Sequence, residues 1–136
     1  MRRLLIGITV LLLAGPTWAQ TRDENLAACG GPDADARIVA CTTLLQSGQE
    51  SALLSSIYTD RGIAYGMKDL YDQAIADLSQ AIGLVPTNAF AYNDRATVYL
   101  RAGRRDLAIA DYRQALQLDP SLDSARTTLL SLGVAP

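Results

Sequence analysis

The residues of this chain that could do chemistry are few, and their spacing is regular. There is no histidine, so a catalytic acid, base or nucleophile would have to come from carboxylates, tyrosines and hydroxyls. Asp60-Arg61 returns downstream as Asp94-Arg95, and Asp77 returns as Asp111 at the same interval. Read as chemistry these are paired carboxylates; read as architecture they are solvated charge with local Asp-to-Arg pairing in consecutive copies of one unit. Repetition copies architecture whether or not a site is present, so the second reading is preferred and no enzymatic activity is expected. Tyr58, Tyr65, Tyr92 and Tyr99 are read in the same way, as packing residues. Cys29 and Cys41 are the only cysteines. Two thiolates without histidine cannot complete the four ligands of a zinc site, and no Cys-x-x-Cys spacing marks a redox pair. No metal and no cofactor are expected.

The elements that must hold these residues are helices written twice. The nonapeptide AIADLSQAI, beginning at Ala74, returns as AIADYRQAL, beginning at Ala108. Aligning 55–86 with 89–120 gives 13 identities in 32 positions, more than unrelated amphipathic helices share by chance, so the chain reads as a repeat protein. Each copy is a helix pair. In the first, Ile57, Tyr58, Ala64 and Tyr65 mark an inner helix, Lys68-Asp69 a turn, Ala74, Leu78 and Ala81 an outer helix, and Val85-Pro86 its end. The second runs in parallel from Tyr92 to Pro120. Upstream, a short helix ends at Gly30-Gly31-Pro32, and Asp33 or Asp35 caps a second helix that carries Ile38, Cys41, Leu44 and Leu45 on one face. Residues 20–25 read as a frayed polar terminus. Downstream, Ser121 is expected to cap a last helix with Leu122, Ala125, Leu129 and Leu130 on one face. No alternation or hairpin signal competes, and the fold is expected to be all-α.

The first residues, MRRLLIGITVLLLAGPTWAQ, have the layout of a secretory signal: two arginines, an apolar run from Leu4 to Ala14, then small residues at Thr17 and Ala19 flanking Trp18. The run is too short to span a bilayer, which takes about 20 residues. Cleavage after Ala19 is expected, with the product periplasmic or secreted and membrane association not expected afterwards. Loss of Arg2 and Arg3 from the 12 basic side chains leaves 10 against 14 acidic ones, a formal charge of -4. That balance argues against nucleic acid as a partner, because such binding needs many phosphate-neutralising Lys and Arg. In an oxidising compartment Cys29 and Cys41 are expected as one structural disulfide.

Both copies resemble the tetratricopeptide repeat, whose unit is about 34 residues long. The first supplies Tyr58, Gly62, Tyr65, Ala74, Leu78, Ala81 and Pro86, and the second Tyr92, Ala96, Tyr99, Ala108, Tyr112, Ala115 and Pro120. Arg61 and Arg95 depart together from the leucine of the general pattern, which suggests a surface or interhelix role. The resemblance implies a right-handed superhelical stack of antiparallel helix pairs with a C-terminal capping helix. Its parts would be a signal at 1–19, a divergent disulfide-bearing pair at 20–54, repeats at 55–88 and 89–122, and a cap with tail at 123–136. The divergent pair is similar to the cysteine-bearing opening of small exported bacterial proteins of this type. The resemblance further implies a concave groove lined by Ser56, Thr59, Ile63, Gly66 and Met67, then Phe90, Asn93, Thr97, Leu100 and Arg101. Asn93 would bond an extended peptide backbone, Ile63, Met67, Phe90 and Leu100 would offer apolar contact, and Arg101 would be the groove's cation. Family members that clasp chaperone C-terminal carboxylates use several Lys, Arg and Asn side chains here. This chain has Thr59, Ile63 and Thr97 at matching places and Lys68 as its one lysine, so that activity is not implied. The expected function is a non-enzymatic protein- or peptide-binding adaptor of the cell envelope; the alternative is a homo-oligomer built by end-to-end stacking of arrays.

Overall fold

The computed structural model describes residues 20–49 and 51–136; the export signal expected at 1–19 lies outside the described residues. Seven helices follow in order: α1 (Arg22–Cys29), α2 (Ala34–Gln46), α3 (Ser51–Met67), α4 (Tyr71–Leu84), α5 (Ala89–Arg101), α6 (Arg105–Leu118) and α7 (Asp123–Ser131). No strand occurs among the described residues. Each helix packs on its neighbours in the chain. The odd-numbered helices form an inner layer and α2, α4 and α6 an outer one. Inner helices also touch directly, α1 with α3 and α3 with α5, and the outer helices have no contact of that extent. Layers closer together inside than outside curve the stack toward its inner face.

Local chemistry sets the helix ends. Asp33 accepts the Ala36 N–H at 2.7 Å, and Asn88 accepts that of Ala91 at 3.3 Å, so α2 and α5 start on side-chain caps. Two ends differ from expectation. Residues 20–25 are not a frayed terminus, because Thr21 and Glu24 form a reciprocal capping box that starts α1 at Arg22 and buries Asn25. Ser121 does not cap α7: its N–H and hydroxyl both donate to Asp119, at 2.9 and 2.6 Å, and α7 starts at Asp123 without a side-chain cap. Those bonds hold the Asp119 carboxyl below its ordinary range. The two inter-helix turns take a left-handed residue at one place, Asp69 with φ 59° in the first repeat and Gly103 with φ 74° in the second. Glycine adopts this freely; Asp69 is the only non-glycine residue with positive φ among those described.

The charged pairs are the interior feature that spacing alone misassigned. Asp60 does not pair with Arg61, nor Asp94 with Arg95, because adjacent helical residues point away from each other. Arg61 instead crosses from α3 to α4 and donates Nε and Nη2 to the two oxygens of Asp77, at 2.7 and 2.9 Å. Arg95 does the same from α5 to Asp111 on α6, at 2.7 and 3.0 Å. The remaining nitrogen reaches back to the outer helix of the preceding pair, Thr42 for Arg61 and Ser79 for Arg95, both at 2.9 Å. Tyrosine rings one turn to either side, Tyr58 with Tyr65 and Tyr92 with Tyr99, lie 5.7 to 5.8 Å from each guanidinium. Each arginine thus ties three helices. The carboxylate bond, above all, raises the pKa of both arginines. In α7 the in-phase position is Leu129, fully buried in the C-terminal core with Ala125 and Tyr112.

The first pair is held otherwise. Cys29, the last residue of α1, is bonded to Cys41 in α2, and neither is exposed; no cysteine among the described residues is free. Around the bond pack Ala40, Leu44 and Ile57, so the crosslink sits inside a small core that also reaches α3.

Candidate functional site

The inner face is the surface that the stack leaves open, and helix periodicity decides what lines it. In α3 the residues Tyr58, Gly62 and Tyr65 turn toward the outer helices. An added Cβ at Gly62 would stand 2.8 Å from the Leu78 side chain, which shows how closely α3 and α4 approach. The opposite stripe, at steps of four and three, is Ser56, Asp60, Ile63 and Met67. On α5 the same stripe is Phe90, Asp94, Thr97 and Arg101. Met67 is 50% and Phe90 61% exposed, whereas the tyrosines behind them are half-buried.

The expected groove residues divide by what they already hold. Met67 and Phe90 stand free. Thr59 donates to the Ser55 carbonyl at 2.9 Å, and Thr97 both donates to the Asn93 carbonyl at 3.0 Å and meets the Tyr112 hydroxyl at 2.9 Å. Their hydroxyls serve the helices first. Asn93 bridges to the last helix, accepting from Ser124 at 3.3 Å, so the face continues onto α7. Leu100 is half-buried against the C-terminal core, and Ile63, within the α3 stripe, is half-buried as well. Gly66 is buried, its backbone close to Val98. Arg101 is not the free cation that the groove was expected to offer: it donates to the Gly66 carbonyl at 2.7 Å and to Asp69 at 2.6 Å, and lies 5.7 Å from the Tyr71 ring. The left-handed turn at Asp69 is what captures it.

Two acids on this face escaped the sequence reading, which treated them as the partners of Arg61 and Arg95. Asp60 receives Arg37 Nη2 at 3.0 Å, and Arg37 is itself anchored by Nε to the carbonyl of Cys29 at 3.2 Å. Burial raises the Asp60 pKa, opposed by that arginine. Asp94 has no arginine; its side-chain contact is the Asn93 amide at 3.4 Å. Burial first, with the nearby Asp60 charge adding to it, pushes its pKa up to about 6. The legible signal was spacing, since each acid stands one helical turn after an exposed inner-face residue, Ser56 or Phe90.

Nothing in this arrangement positions a nucleophile against a base. Among the described residues no three of His, Cys, Asp and Glu gather as a metal-ligand set, and no helix is long and apolar enough to cross a membrane. The face presents shallow apolar side chains, hydroxyls and two acids, which suits contact with another polypeptide.

Comparison with known proteins places that geometry. The tetratricopeptide-repeat family model matches residues 89–122. The tetratricopeptide-repeat domain of Arabidopsis OM64 superposes with a TM-score of 0.69 at 25% identity, over 78% of this chain and 85% of that one. The second such domain of human RPAP3, in complex with the HSP70 peptide SGPTIEEVD, gives 0.66 at 25% identity, over 74% and 81%. MamA gives 0.65 at 24% identity over 74% of this chain and 60% of MamA, a likeness of fold alone. No curated protein matches the sequence. Domains of this kind are in general protein-interaction modules without catalysis of their own. Residues 89–122 are thus a tetratricopeptide repeat, the same helix pair is written again before it, and the chain shares the helical stack of such domains.

Proposed function

We propose that the chain is a protein- or peptide-binding adaptor of the cell envelope that takes its partner on the inner face of α3, α5 and α7. The observation that carries this reading is the open stripe itself: Phe90 and Met67 stand exposed on the inner layer of a stack whose outer helices are closed around Leu78 and Tyr112. A tetratricopeptide-repeat domain of similar fold, in RPAP3, holds a peptide. Export is supported by the layout of the first residues and by the buried Cys29–Cys41 bond, which suits an oxidising compartment. The periplasm is the proposed location where the source has two membranes.

A photo-crosslinking amino acid placed at Phe90, at Met67 or at the outer-face residue Ala76 tests the reading in intact cells. Crosslinks to one partner from the two inner positions and not from Ala76 are expected. Crosslinks from Ala76 alone would overturn it. Adducts only to further copies of the chain would replace it with end-to-end assembly.

A further inference from the structure

Asp60 and Asp94 occupy one place in consecutive repeats, yet only the first is ion-paired. Arg37, which supplies it, is the fourth residue of outer helix α2; the fourth residues of α4 and α6 are Ala74 and Ala108, both fully buried. Among the described residues no side chain does for Asp94 what Arg37 does for Asp60. Among the described residues the other carboxylates are ion-paired, hold a cap or turn, or stand exposed in the first turn of a helix. Asp94 alone is half-buried with only an amide beside it. The stripe around it offers no free base, since Arg101 is held by Asp69, and α7 continues the face with the uncharged Ser124 and Thr127.

We propose that the inner face docks a basic polypeptide segment, with one arginine or lysine seated against Asp94 and apolar neighbours against Ile63, Phe90 and Leu100. The inference rests on the adaptor reading above and adds the partner's chemistry to it. A half-buried carboxylate without an ionic partner is a cost to the free protein that a docking cation offsets, so the charge contributes to choosing the partner. An acidic segment would meet Asp60 and Asp94 as like charges in one groove. Proton uptake competes with the cation. Asp60 on α3 and Arg37 on α2 are the charged groups that act on Asp94. The buried carboxylates of α4 and α6, Asp77 and Asp111, are held by Arg61 and Arg95, and Asp123 of α7 by Arg126. Loss of the Asp94 charge on acidification thus removes the cation's partner.

An immobilised array of random decapeptides, probed with oxidised protein lacking residues 1–19 and with its Asp94→Asn variant, tests the proposal. Circular dichroism on the same samples confirms that both are folded. Bound spots are expected to favour arginine and lysine over aspartate and glutamate several-fold, with the preference lost in Asp94→Asn. The strongest basic decapeptide, followed by fluorescence anisotropy, is expected to bind up to about tenfold more weakly at pH 5 than at pH 7.5. Bound spots without basic preference, or a preference that Asp94→Asn keeps, would overturn the basic segment while leaving peptide binding in place. No bound spots at all would overturn both.

Discussion

Between α1 and α2 the helices are joined covalently, and the outer one sends Arg37 past the end of α1 to the inner face. Between α3 and α4, and again between α5 and α6, there is no covalent bond, and the arginine travels the other way, from the inner helix into the interior, to a carboxylate on the outer one. The difference follows from helix length. An inner helix of 17 or 13 residues presents Tyr, Arg and Tyr over two turns and encloses a guanidinium between rings; α1 has 8 residues and no tyrosine. With too little surface to bury, α1 is held by a crosslink, and the space beyond its end lets an arginine pass where the regular repeats have alanine. The irregular pair thereby sets the charge of the groove at Asp60, which without Arg37 would stand as bare as Asp94.

If the interior arginines hold the regular repeats as the disulfide holds the first pair, removing their partners should give the largest effect. Asp111→Ala leaves Arg95 enclosed between Tyr92 and Tyr99 without its carboxylate, and is expected to cost about 3 to 5 kcal/mol in urea melts. Asp77→Ala should match it. Replacing Arg95 and Asp111 together by leucines should recover most of the loss, because a buried ion pair contributes little net against apolar packing. The chain already uses that solution at Leu129, which stands one repeat after Arg95. Equal losses in the single and double variants would mean that the clamp contributes through its hydrogen bonds to Ser79 and the tyrosine rings more than through charge neutralisation.

The disulfide should matter somewhat less and more locally. Cys29→Ser with Cys41→Ser is expected to lose about 2 to 4 kcal/mol, with amide exchange accelerated in α1 and α2 and little changed from α4 onward. Uniform acceleration would show that the first pair nucleates the whole array rather than capping it. Smaller again is Gly62→Ala, which brings a Cβ to 2.8 Å from Leu78 and is expected to cost about 1 to 3 kcal/mol by overpacking. The second repeat has Ala96 there, with Tyr112 at the place of Leu78, so a Gly62→Ala, Leu78→Tyr variant should be better tolerated than the single change. That result would show that small and large residues are exchanged as pairs.

The helix pairs were legible in the sequence because burial is periodic: alanines and tyrosines copied at one fixed interval identify which faces meet, and the all-α stack follows. The Thr21 and Ser121 ends were not legible, since each depended on which of two nearby side chains captured a hydroxyl or N–H. Of the positions that the family pattern names on the inner face, Met67 and Phe90 are exposed and Asn93 holds Ser124. That face was misread where a long side chain chooses between partners. Arg101 reaches 35 residues back to the Gly66 carbonyl, a choice made by the left-handed turn at Asp69 and not by its own position. Asp60 and Asp94 were assigned to their sequence neighbours although helix geometry points them elsewhere. Arg37 had no repeat partner from which its reach could be inferred.

The smallest expected effect is the one that separates Asp60 from Asp94. A carboxyl whose folded pKa lies above its unfolded value favours the folded state when protonated, so it carries no penalty below the unfolded pKa, near 4, and an increasing one as pH rises toward and through the folded pKa, about 6 for Asp94. That interval sets an upper bound of roughly 3 kcal/mol at pH 7.5, and partial solvent access screens it to about 1 kcal/mol. Asp94→Asn should therefore be more stable than the parent by about 1 kcal/mol at pH 7.5 and equal to it at pH 4. Asp60→Asn should gain less at pH 7.5, because Arg37 offsets part of the burial cost of that carboxylate and loses its ionic partner in the variant. Urea melts of the three proteins at the two pH values measure this. An Asp60→Asn stabilised as much as Asp94→Asn, or a destabilised Asp94→Asn at pH 7.5, would show that the counter-charge from the first helix pair is not what distinguishes the two acids.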